Sequence, residues 1–483
     1  MSIPSKKPIK FGTDGWRGII AADFTFERVQ RVAIAAAYVL KENYSDQATS
    51  NTVIVGYDRR FLADEFALAA AEAIQGEGFT VQLANCFSPT PALSFAAHHQ
   101  KALGAIALTA SHNPAGYLGL KVKGAFGGSV SGDITEQIEA KLDAGITPSN
   151  ATNASLDYFD PWADYCEGLQ KLVDIEPIRE AIAAGELEVF ADVMYGAASG
   201  GLTQLLNGTI QEVHCDPDPL FGGRAPEPLE KNLSQLKRVI RAAKANNPDA
   251  IQVGFVFDGD SDRIAAMDSN GNFLSSQKLI PVLLAHLSQN RGYGGEVVKT
   301  VSGSDLIPLL SKSFGLPLFE TPIGYKYIAE RMLSEKVLLG GEESGGIGYG
   351  HHIPERDALL AALYVLEAIA TSGKDLGDIY QGLLDQVGFS SVYDRIDLHL
   401  KDFSIRDRLL SELKDNTPTN IAGKTVENCD TKDGYKFRLA DQSWLLIRFS
   451  GTEPVLRLYC EAPTIEEVHA TLNWAKTWAE SFE

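Results

Sequence analysis

The stretch Ala105-Ile-Ala-Leu-Thr-Ala-Ser111-His112-Asn113-Pro114 is the part of the sequence around which the rest of the chain is organised. The apolar run from Gly104 to Leu108 predicts a buried strand, and the polar residues after it, ended by a proline, predict a loop that leaves the strand. Ser111 would then be exposed at the strand tip. A hydroxyl placed there needs a base, a metal or fixed cationic donors before it acts as a nucleophile. The structural alternative is an Asn-Pro turn with a capping serine.

Composition indicates a globular protein with several domains. The chain has 483 residues, more than one hydrophobic core normally supports, with 45% hydrophobic and 22% charged residues. The formal net charge is −20, and no basic run is longer than Lys6-Lys7, which argues against nucleic acid or an anionic membrane as a partner. An acidic protein that acts on anionic substrates must concentrate its cations locally, so the cations inside motifs are the informative ones.

The cysteines and the N-terminus predict a cytoplasmic protein. Five cysteines are scattered without metal-ligand spacing, which suits a reducing compartment. The segment from Ser2 to Lys10 is polar, and the sequence contains no apolar run of about 18 residues. We therefore expect no membrane segment.

The first segment, residues 1–152, alternates strand and helix patterns. Val53–Asp58 and Phe79–Leu83 resemble strands, and the alanine-rich stretch Leu62–Gln75 resembles a helix. This rhythm predicts a parallel or mixed sheet covered by helices, with the ligand crevice at the carboxyl ends of the strands, where Ser111 falls. The polar stretch 146–153 predicts the first domain boundary.

The second segment, residues 153–272, repeats the rhythm and ends in an acidic loop. Leu187–Asp192 and Ile251–Phe257 resemble strands, and the second of them leads into Asp258, Asp260 and Asp262. Three carboxylates at alternate positions repel one another unless a cation or protons lie between them, and their hard oxygen ligands suit Mg²⁺. A Ca²⁺ loop is excluded because arginine and serine occupy its required glycine and carboxylate positions. The alternative is a solvated acidic turn.

The third and fourth segments, residues 273–385 and 386–483, each carry one polar loop. In the third, Glu342 and Ser344 stand two residues apart in a glycine-rich turn, a spacing that can bind vicinal sugar hydroxyls. In the fourth, Val392–Leu400 and the strands after it predict an α+β unit, and Arg448 opens a turn with two hydroxyls and glycine amides. Such a turn suits a phosphate without a metal, although a hairpin with incidental polar residues is the alternative.

Five blocks of sequence together resemble the α-D-phosphohexomutase superfamily. Thr109–Pro114 resembles the phosphoserine loop of that family, and four further blocks follow the family order across nearly the whole chain: Gly12–Gly18, Asp258–Arg263, Gly341–Gly346 and Arg448–Pro454. The resemblance implies four domains around a central cleft. Three are similar α/β domains with mixed sheets, and the last is a C-terminal α+β domain that clamps the non-reacting phosphate.

The resemblance also implies a role for individual residues. Ser111 would carry the phosphoryl group and share an Mg²⁺ with the three aspartates, while His112, Lys121 and Arg263 would assist transfer. A solvated lysine on a β-ribbon is the alternative for Lys121. Glu343 resembles phosphoglucomutase-type chains more than the methionine or glutamine of other subfamilies. The implied substrate-binding residues are Arg17, Lys326, Glu342, Ser344, Arg448, Ser450, Gly451 and Thr452.

The implied activity is transfer of a phosphoryl group between O1 and O6 of a hexose phosphate, with glucose as the first expectation and mannose as the second. Glucose 1,6-bisphosphate would be the intermediate or activator, small hexose phosphates the partners, and the protein a monomer or homodimer. A second interpretation is a glucose-1,6-bisphosphate synthase that uses a donor such as fructose 1,6-bisphosphate. A non-catalytic sugar-phosphate-binding regulator ranks lower, because both the serine loop and the metal loop are intact.

Overall fold

The first segment forms a six-stranded mixed sheet. The structure is a computed structural model that describes residues 8–12, 14–145, 154–450 and 454–482. The sheet order is β1-β5-β4-β2-β3-β6, with β1 and β5 antiparallel to their neighbours and the others parallel. Its strands are β1 (Trp16–Ile19), β2 (Thr52–Tyr57), β3 (Thr80–Ala84), β4 (Gly104–Leu108), β5 (Tyr117–Gly124) and β6 (Leu156–Phe159). Its helices are α1 (Phe26–Tyr44), α2 (Ala63–Gly76), α3 (Thr90–His99) and α4 (Gly132–Ala144).

Strand β6 lies beyond the domain boundary that the polar stretch 146–153 predicts. That boundary assigns Leu156–Phe159 to the second segment, whereas the strand pairs in parallel with β3 of the first sheet. The physical reason is that β3 would otherwise be an edge strand with unpaired backbone groups, which β6 covers. Composition marks a linker but does not tell on which side of it a strand pairs.

The second segment forms a five-stranded mixed sheet of order β11-β10-β9-β7-β8. Parallel pairing joins β8, β7 and β9, and antiparallel pairing adds β10 and β11. Its strands are β7 (Leu187–Asp192), β8 (Gln211–Val213), β9 (Ile251–Phe257), β10 (Ile264–Met267) and β11 (Phe273–Leu274). Its helices are α5 (Ala163–Leu172), α6 (Glu176–Ala183), α7 (Gly201–Leu206) and α8 (Ser234–Asn246).

The third segment forms a four-stranded mixed sheet of order β13-β12-β14-β15, and only β15 is antiparallel. Its hydrophobic core is continuous with that of the second segment, from Trp162 to Leu384. The two segments therefore pack as one body. The strands are β12 (Glu296–Thr300), β13 (Leu318–Thr321), β14 (Val337–Gly341) and β15 (Ile347–Tyr349). The helices are α9 (Ser276–Ala285), α10 (Leu306–Ser313), α11 (Tyr325–Ser334), α12 (Ala358–Ser372) and α13 (Leu376–Val387).

The fourth segment differs because its sheet, β16-β21-β20-β19-β18-β17, is wholly antiparallel. The strands are β16 (Val392–His399), β17 (Asn420–Ile421), β18 (Lys424–Asp430), β19 (Tyr435–Leu439), β20 (Trp444–Phe449) and β21 (Val455–Ala462). Its helices are α14 (Phe403–Asp415) and α15 (Ile465–Glu480). Thr464 and Glu467 form a capping box that starts α15. The predicted architecture of three mixed-sheet domains and a distinct C-terminal domain is confirmed.

The fourth segment is docked on the third. Trp444 and Leu446 of β20 are buried against Val301, at the carboxyl end of β12. Within the described part of the chain, no helix has the length and apolarity that crossing a membrane requires.

Candidate active site

Ser111 lies where β4 ends and is buried. Its backbone takes the left-handed conformation, with φ +52°, which is uncommon for a residue with a side chain. The Thr109 hydroxyl accepts a hydrogen bond from the Ser111 amide at 2.9 Å and donates to Asp58 at 2.5 Å. Ser111 is only 1% exposed, so the prediction of an exposed strand tip is wrong. The loop after β9 covers it, because a Cβ at Gly259 would lie 2.4 Å from the Ser111 carbonyl oxygen.

The Ser111 loop is held by Arg60, which sequence reasoning missed. The buried Arg60 guanidinium donates to the carbonyl oxygens of Ser111 and Asn113 at 2.6 Å. Its other terminal nitrogen donates to Pro114 and Tyr117 at 3.0 and 3.1 Å. The available signal was a pair of arginines directly after β2, at the edge of the sheet where Ser111 also lies.

The three aspartates after β9 lie beside Ser111. The Ser111 hydroxyl donates to Asp258 Oδ2 at 2.7 Å, and Asp258 Oδ1 accepts from the backbone amides of Asp262 and Arg263 at 3.1 Å. All three carboxylates are 0% exposed, so the alternative of a solvated acidic turn is wrong. Burial, together with the charges of Asp262 and Asp260, raises the pKa of Asp258 well above its usual value.

Lys121 on β5 is buried among carboxylates. Its Nζ lies 2.8 Å from Asp14 Oδ2 and from the Oδ2 atoms of Asp260 and Asp262. Burial opposes its charge, but the surrounding carboxylates outweigh burial and raise the pKa of Lys121. Since its side chain is 1% exposed, the alternative of a solvated lysine is wrong.

The aspartate cluster leaves free the oxygens that a cation requires. One carboxylate oxygen from each of Asp258, Asp260 and Asp262 lies within 4.8 Å of the others. Lys121 occupies Oδ2 of Asp260 and Asp262, while Oδ1 of each is buried and has no hydrogen-bond partner among the described residues. Buried carboxylate oxygens without a partner are costly. The residues present therefore fit a hard divalent cation such as Mg²⁺, which binds carboxylates and keeps positions for other oxygens.

Two arginines and a neutral histidine lie around the Ser111 loop. Arg263 Nε is buried, makes no hydrogen bond within the described ranges and lies 3.9 Å from Asp262 Oδ1, so its charge stands beside the aspartate cluster. His112 Nδ1 lies 3.3 Å from Ser111 Oγ. The charge of Arg263, burial and the charge of Arg17 lower the pKa of His112, so the ring is neutral at pH 7. Arg17 on β1 donates to Asn113 Oδ1 at 2.5 Å.

The turn between β14 and β15 carries Glu342 and Ser344 and adjoins the aspartate loop. A backbone bridge pairs Arg263 with Gly346. Glu342 Oε1 accepts from the Gly324 amide at 3.0 Å. Burial and the neighbouring Glu343 raise the pKa of Glu342 to about 7. Glu343 turns away from this pair and hydrogen-bonds Ser302.

Arg356 connects the first three segments. One of its terminal nitrogens lies 2.5 Å from Asp14 Oδ2 and 2.8 Å from Asp262 Oδ2. A Cβ at Gly346 would lie 2.4 Å from the Arg356 side chain, so this arginine also lies under the Glu342 turn. Sequence reasoning gave Arg356 no definite role and missed Asp14.

The residues predicted to bind the distal phosphate lie on the fourth segment and on α11. Arg448 Nε lies 3.0 Å from both oxygens of Asp433, and Asp433 accepts from the Ile323 amide at 2.8 Å. Ser450 is buried at the end of β20. Lys326 lines a small cavity of about 40 Å³ together with Asp14. The predicted Gly451 and Thr452 lie outside the described residues.

Models of a single protein family match successive parts of the chain. Four models of the phosphoglucomutase/phosphomannomutase family match in order. Their domains I, II and III, each described as alpha/beta/alpha, match residues 8–148, 163–271 and 275–387, and the C-terminal domain matches 409–473.

Relatives and solved structures agree with these models. A phosphoglucosamine mutase of Limosilactobacillus fermentum is 30% identical and a phosphoglucomutase/phosphomannomutase of Thermococcus kodakarensis is 28% identical, each over 96% of both chains. A crystal structure from Thermus thermophilus, provisionally named a phosphomannomutase, has a TM-score of 0.84 and 34% identity, covering 99% of this chain and 100% of that one. The chain therefore belongs to the phosphoglucomutase/phosphomannomutase family and is a phosphohexomutase-type enzyme.

Proposed function

We propose that the protein transfers a phosphoryl group between O1 and O6 of a hexose phosphate through phospho-Ser111. The observation that carries the proposal is the contact between the Ser111 hydroxyl and Asp258 inside a cluster that retains two unpartnered carboxylate oxygens. A serine so placed has both a metal-type site and the cations that phosphoryl transfer requires. When bound at Asp258, Asp260 and Asp262, Mg²⁺ would stabilise negative charge on the phosphoryl oxygens.

The transfer uses the protein mainly for positioning. The P–O bond to Ser111 breaks, a bond to the sugar hydroxyl oxygen forms, and the hydroxyl proton finishes on the serine oxygen. Arg60 fixes the backbone of the Ser111 loop, and Arg263 Nε faces the oxygens of the moving group. Lys121 is held by three carboxylates, so it contributes a fixed charge.

Sugar and distal phosphate are assigned to the other loops. Glu342 accepts a hydrogen bond from one sugar hydroxyl, and Ser344 donates to the adjacent one. The second phosphate is held by Arg448, Ser450, Gly451 and Thr452. After the first transfer the 1,6-bisphosphate reorients, and its other phosphoryl group returns to Ser111. Relatives named for glucose, mannose and glucosamine substrates match the chain, so the preferred sugar has to be identified by experiment. We take glucose first because Glu343 resembles phosphoglucomutase-type chains.

A glucose-1,6-bisphosphate synthase uses the same residues and is the second candidate. In that case the bisphosphate leaves before reorientation, and a donor such as fructose 1,6-bisphosphate recharges Ser111. The burial of Ser111 favours the mutase, because a covered site retains its intermediate.

The experiment follows ³¹P signals after glucose 1-phosphate is added to the phosphorylated protein with Mg²⁺, with and without fructose 1,6-bisphosphate. A mutase forms glucose 6-phosphate with only traces of bisphosphate. A synthase accumulates glucose 1,6-bisphosphate in step with donor consumption. Mannose and glucosamine 1-phosphates are compared in the same way.

Ser111→Ala is the decisive variant, and Ser94→Ala is its control. Both remove a hydroxyl from a buried serine of the first segment, but the Ser94 hydroxyl, on α3, has no hydrogen-bond partner among the described residues. Ser111→Ala should fold and lose all transfer, whereas Ser94→Ala should keep it. Full activity in Ser111→Ala would refute the phosphoserine mechanism.

A further inference from the structure

A second cavity, of about 260 Å³, lies in the second segment. The turn after β7, the loop after β8 and the start of α8 form its walls, and none of the residues proposed for transfer lines it. The lining residues that carry the argument are Tyr195, His214, Phe221, Arg224, Pro226 and Gln235.

Two basic side chains, His214 and Arg224, line this cavity. His214 Nδ1 lies 2.9 Å from Oδ1 of Asp192, a carboxylate that is 0% exposed. The hydrogen bond to Asp192 outweighs burial and raises the pKa of His214. The Arg224 guanidinium is exposed and makes no hydrogen bond or ion pair with any residue that the structure describes. Arg224 is therefore a cation without a partner among the described residues, whereas His214 is paired with Asp192, and Asp216 and Asp218 lie near Tyr195 of the same wall.

The same cavity has aromatic walls on a strained backbone. The rings of Tyr195 and His214 lie 5.0 Å apart, and Phe221 closes another side. Tyr195, His214 and Phe221 all take the left-handed conformation. Such conformations persist only where surrounding structure enforces them, and they concentrate at functional sites. A pocket with basic side chains and aromatic walls matches an anion that carries a ring.

The cavity is mechanically connected to the Ser111 loop. The Arg60 guanidinium lies over the Phe221 ring, 4.8 Å from its centroid, and the same guanidinium holds the Ser111 and Asn113 carbonyls. On a second path, a Cβ at Gly259 of the aspartate loop would lie 3.2 Å from Pro226. A ligand that displaces Phe221 or Pro226 therefore acts on the loops that form the transfer site.

We propose that this cavity is an effector site for a small organic phosphate that carries a ring, and that its occupancy changes the order of the Ser111 loop. The phosphate contacts His214 and Arg224, and the ring lies between Tyr195 and Phe221. This proposal does not depend on which hexose phosphate the protein converts, so it can be tested separately from the proposed reaction.

Phenyl phosphate is the probe, because it carries one ring and one phosphate. Binding is measured by calorimetry on the full chain in an Arg448→Gln background, which weakens the proposed distal phosphate site. Arg224→Gln should weaken binding by about tenfold or more, the value of a charge-assisted hydrogen bond. Arg408→Gln makes the same charge change at an exposed position of α14 in the fourth segment, outside the cavity lining, and should leave binding unchanged. No saturable binding at millimolar probe, or equal losses in both variants, would overturn the site.

Amide hydrogen exchange tests the effector role. Phenyl phosphate should change exchange in residues 109–117 in the Arg448→Gln protein, and this response should disappear with Arg224→Gln. Saturable binding without any change in these residues would overturn the effector role. Mutase turnover enters neither measurement, so failure of the proposed reaction would not be mistaken for failure of the site.

Discussion

Replacing Arg60 with lysine tests whether the hydrogen bonds from the Arg60 guanidinium fix the backbone of the Ser111 loop. The guanidinium donates to four carbonyl oxygens, those of Ser111, Asn113, Pro114 and Tyr117. A lysine ammonium has three donors on one atom and cannot reproduce a planar fork. Each terminal nitrogen of the guanidinium serves one pair of these carbonyls, and a single ammonium can occupy only one of the two positions, so we expect two hydrogen bonds from a charged donor to be lost.

The expected magnitude follows from these contacts. Hydrogen bonds to charged groups contribute about 1.5 to 3 kcal/mol each, and the lysine keeps the buried charge beside Asp58. We expect the free energy of unfolding to fall by about 3 kcal/mol. The positive φ of Ser111 adds strain of about 1 kcal/mol that the clamp must hold. With the nucleophile less well positioned, kcat should fall about 100-fold, which corresponds to about 2.7 kcal/mol.

The assay separates positioning from binding. Arg60 is a positioning residue, so kcat in a coupled glucose 6-phosphate assay should fall while KM for glucose 1-phosphate stays nearly constant. Denaturant unfolding gives the stability change. Arg59→Lys is the matched control, because Arg59 donates to the Cys215 carbonyl and not to the Ser111 loop. Full kcat and wild-type stability in Arg60→Lys would refute the reasoning, as would an equal kcat loss in Arg59→Lys.

Three further outcomes are expected. Chelation of divalent cations should abolish turnover until Mg²⁺ is restored, and Asp260→Asn should raise the Mg²⁺ requirement by about tenfold or more; undiminished activity after chelation would contradict the metal site. Log kcat/KM should fall as the pH drops below about 7, because burial and Glu343 raise the pKa of Glu342 to about 7. Below that pH the carboxyl is protonated and accepts fewer hydrogen bonds from sugar hydroxyls. The Glu342→Gln variant should lack this decrease and keep only the pH dependence that the substrate phosphate causes. Burial and Lys299 lower the pKa of Lys436 to about 7 in the folded protein, from an ordinary value of 10.5. Between these two pH values Lys436 carries a proton in the unfolded chain but not in the folded one. The free energy of unfolding should therefore rise with pH over this range. Lys436→Met should remove that slope in urea unfolding, and an unchanged slope would contradict the shift.

The sequence alone predicted much of the secondary structure, because strand and helix periodicities are local. The predicted bounds of β4, β7 and β9 match the structure. The changed character of the fourth segment was also visible, because strands β17 to β21 follow one another without an intervening helix until α15. The sequence did not predict that β6, which follows the predicted boundary at residue 152, pairs with the first sheet, since that pairing depends on which sheet edge is open.

The sequence also marked which loops carry charged and polar chemistry, through residue types at short spacing. It did not identify Arg60, which stands outside the five blocks, or Asp14, whose contacts with Lys121 and Arg356 exist only in the folded chain. It offered Lys121 as either a site residue or a solvated one, and only its burial decides between them. Glu343 stands between Glu342 and Ser344 in sequence, yet its carboxylate faces Ser302.

The sequence by itself therefore determined the elements of this protein and the chemical character of its loops, and the tertiary structure decided which loops act together. Lys121 meets Asp260 across 139 residues of chain, and Arg356 meets Asp14 across 342. Contacts at such separations depend on how whole sheets and cores pack, as in the core that the second and third segments share. Local periodicity carries no information about that packing, because burial and charge pairing between distant residues exist only once the chain is folded.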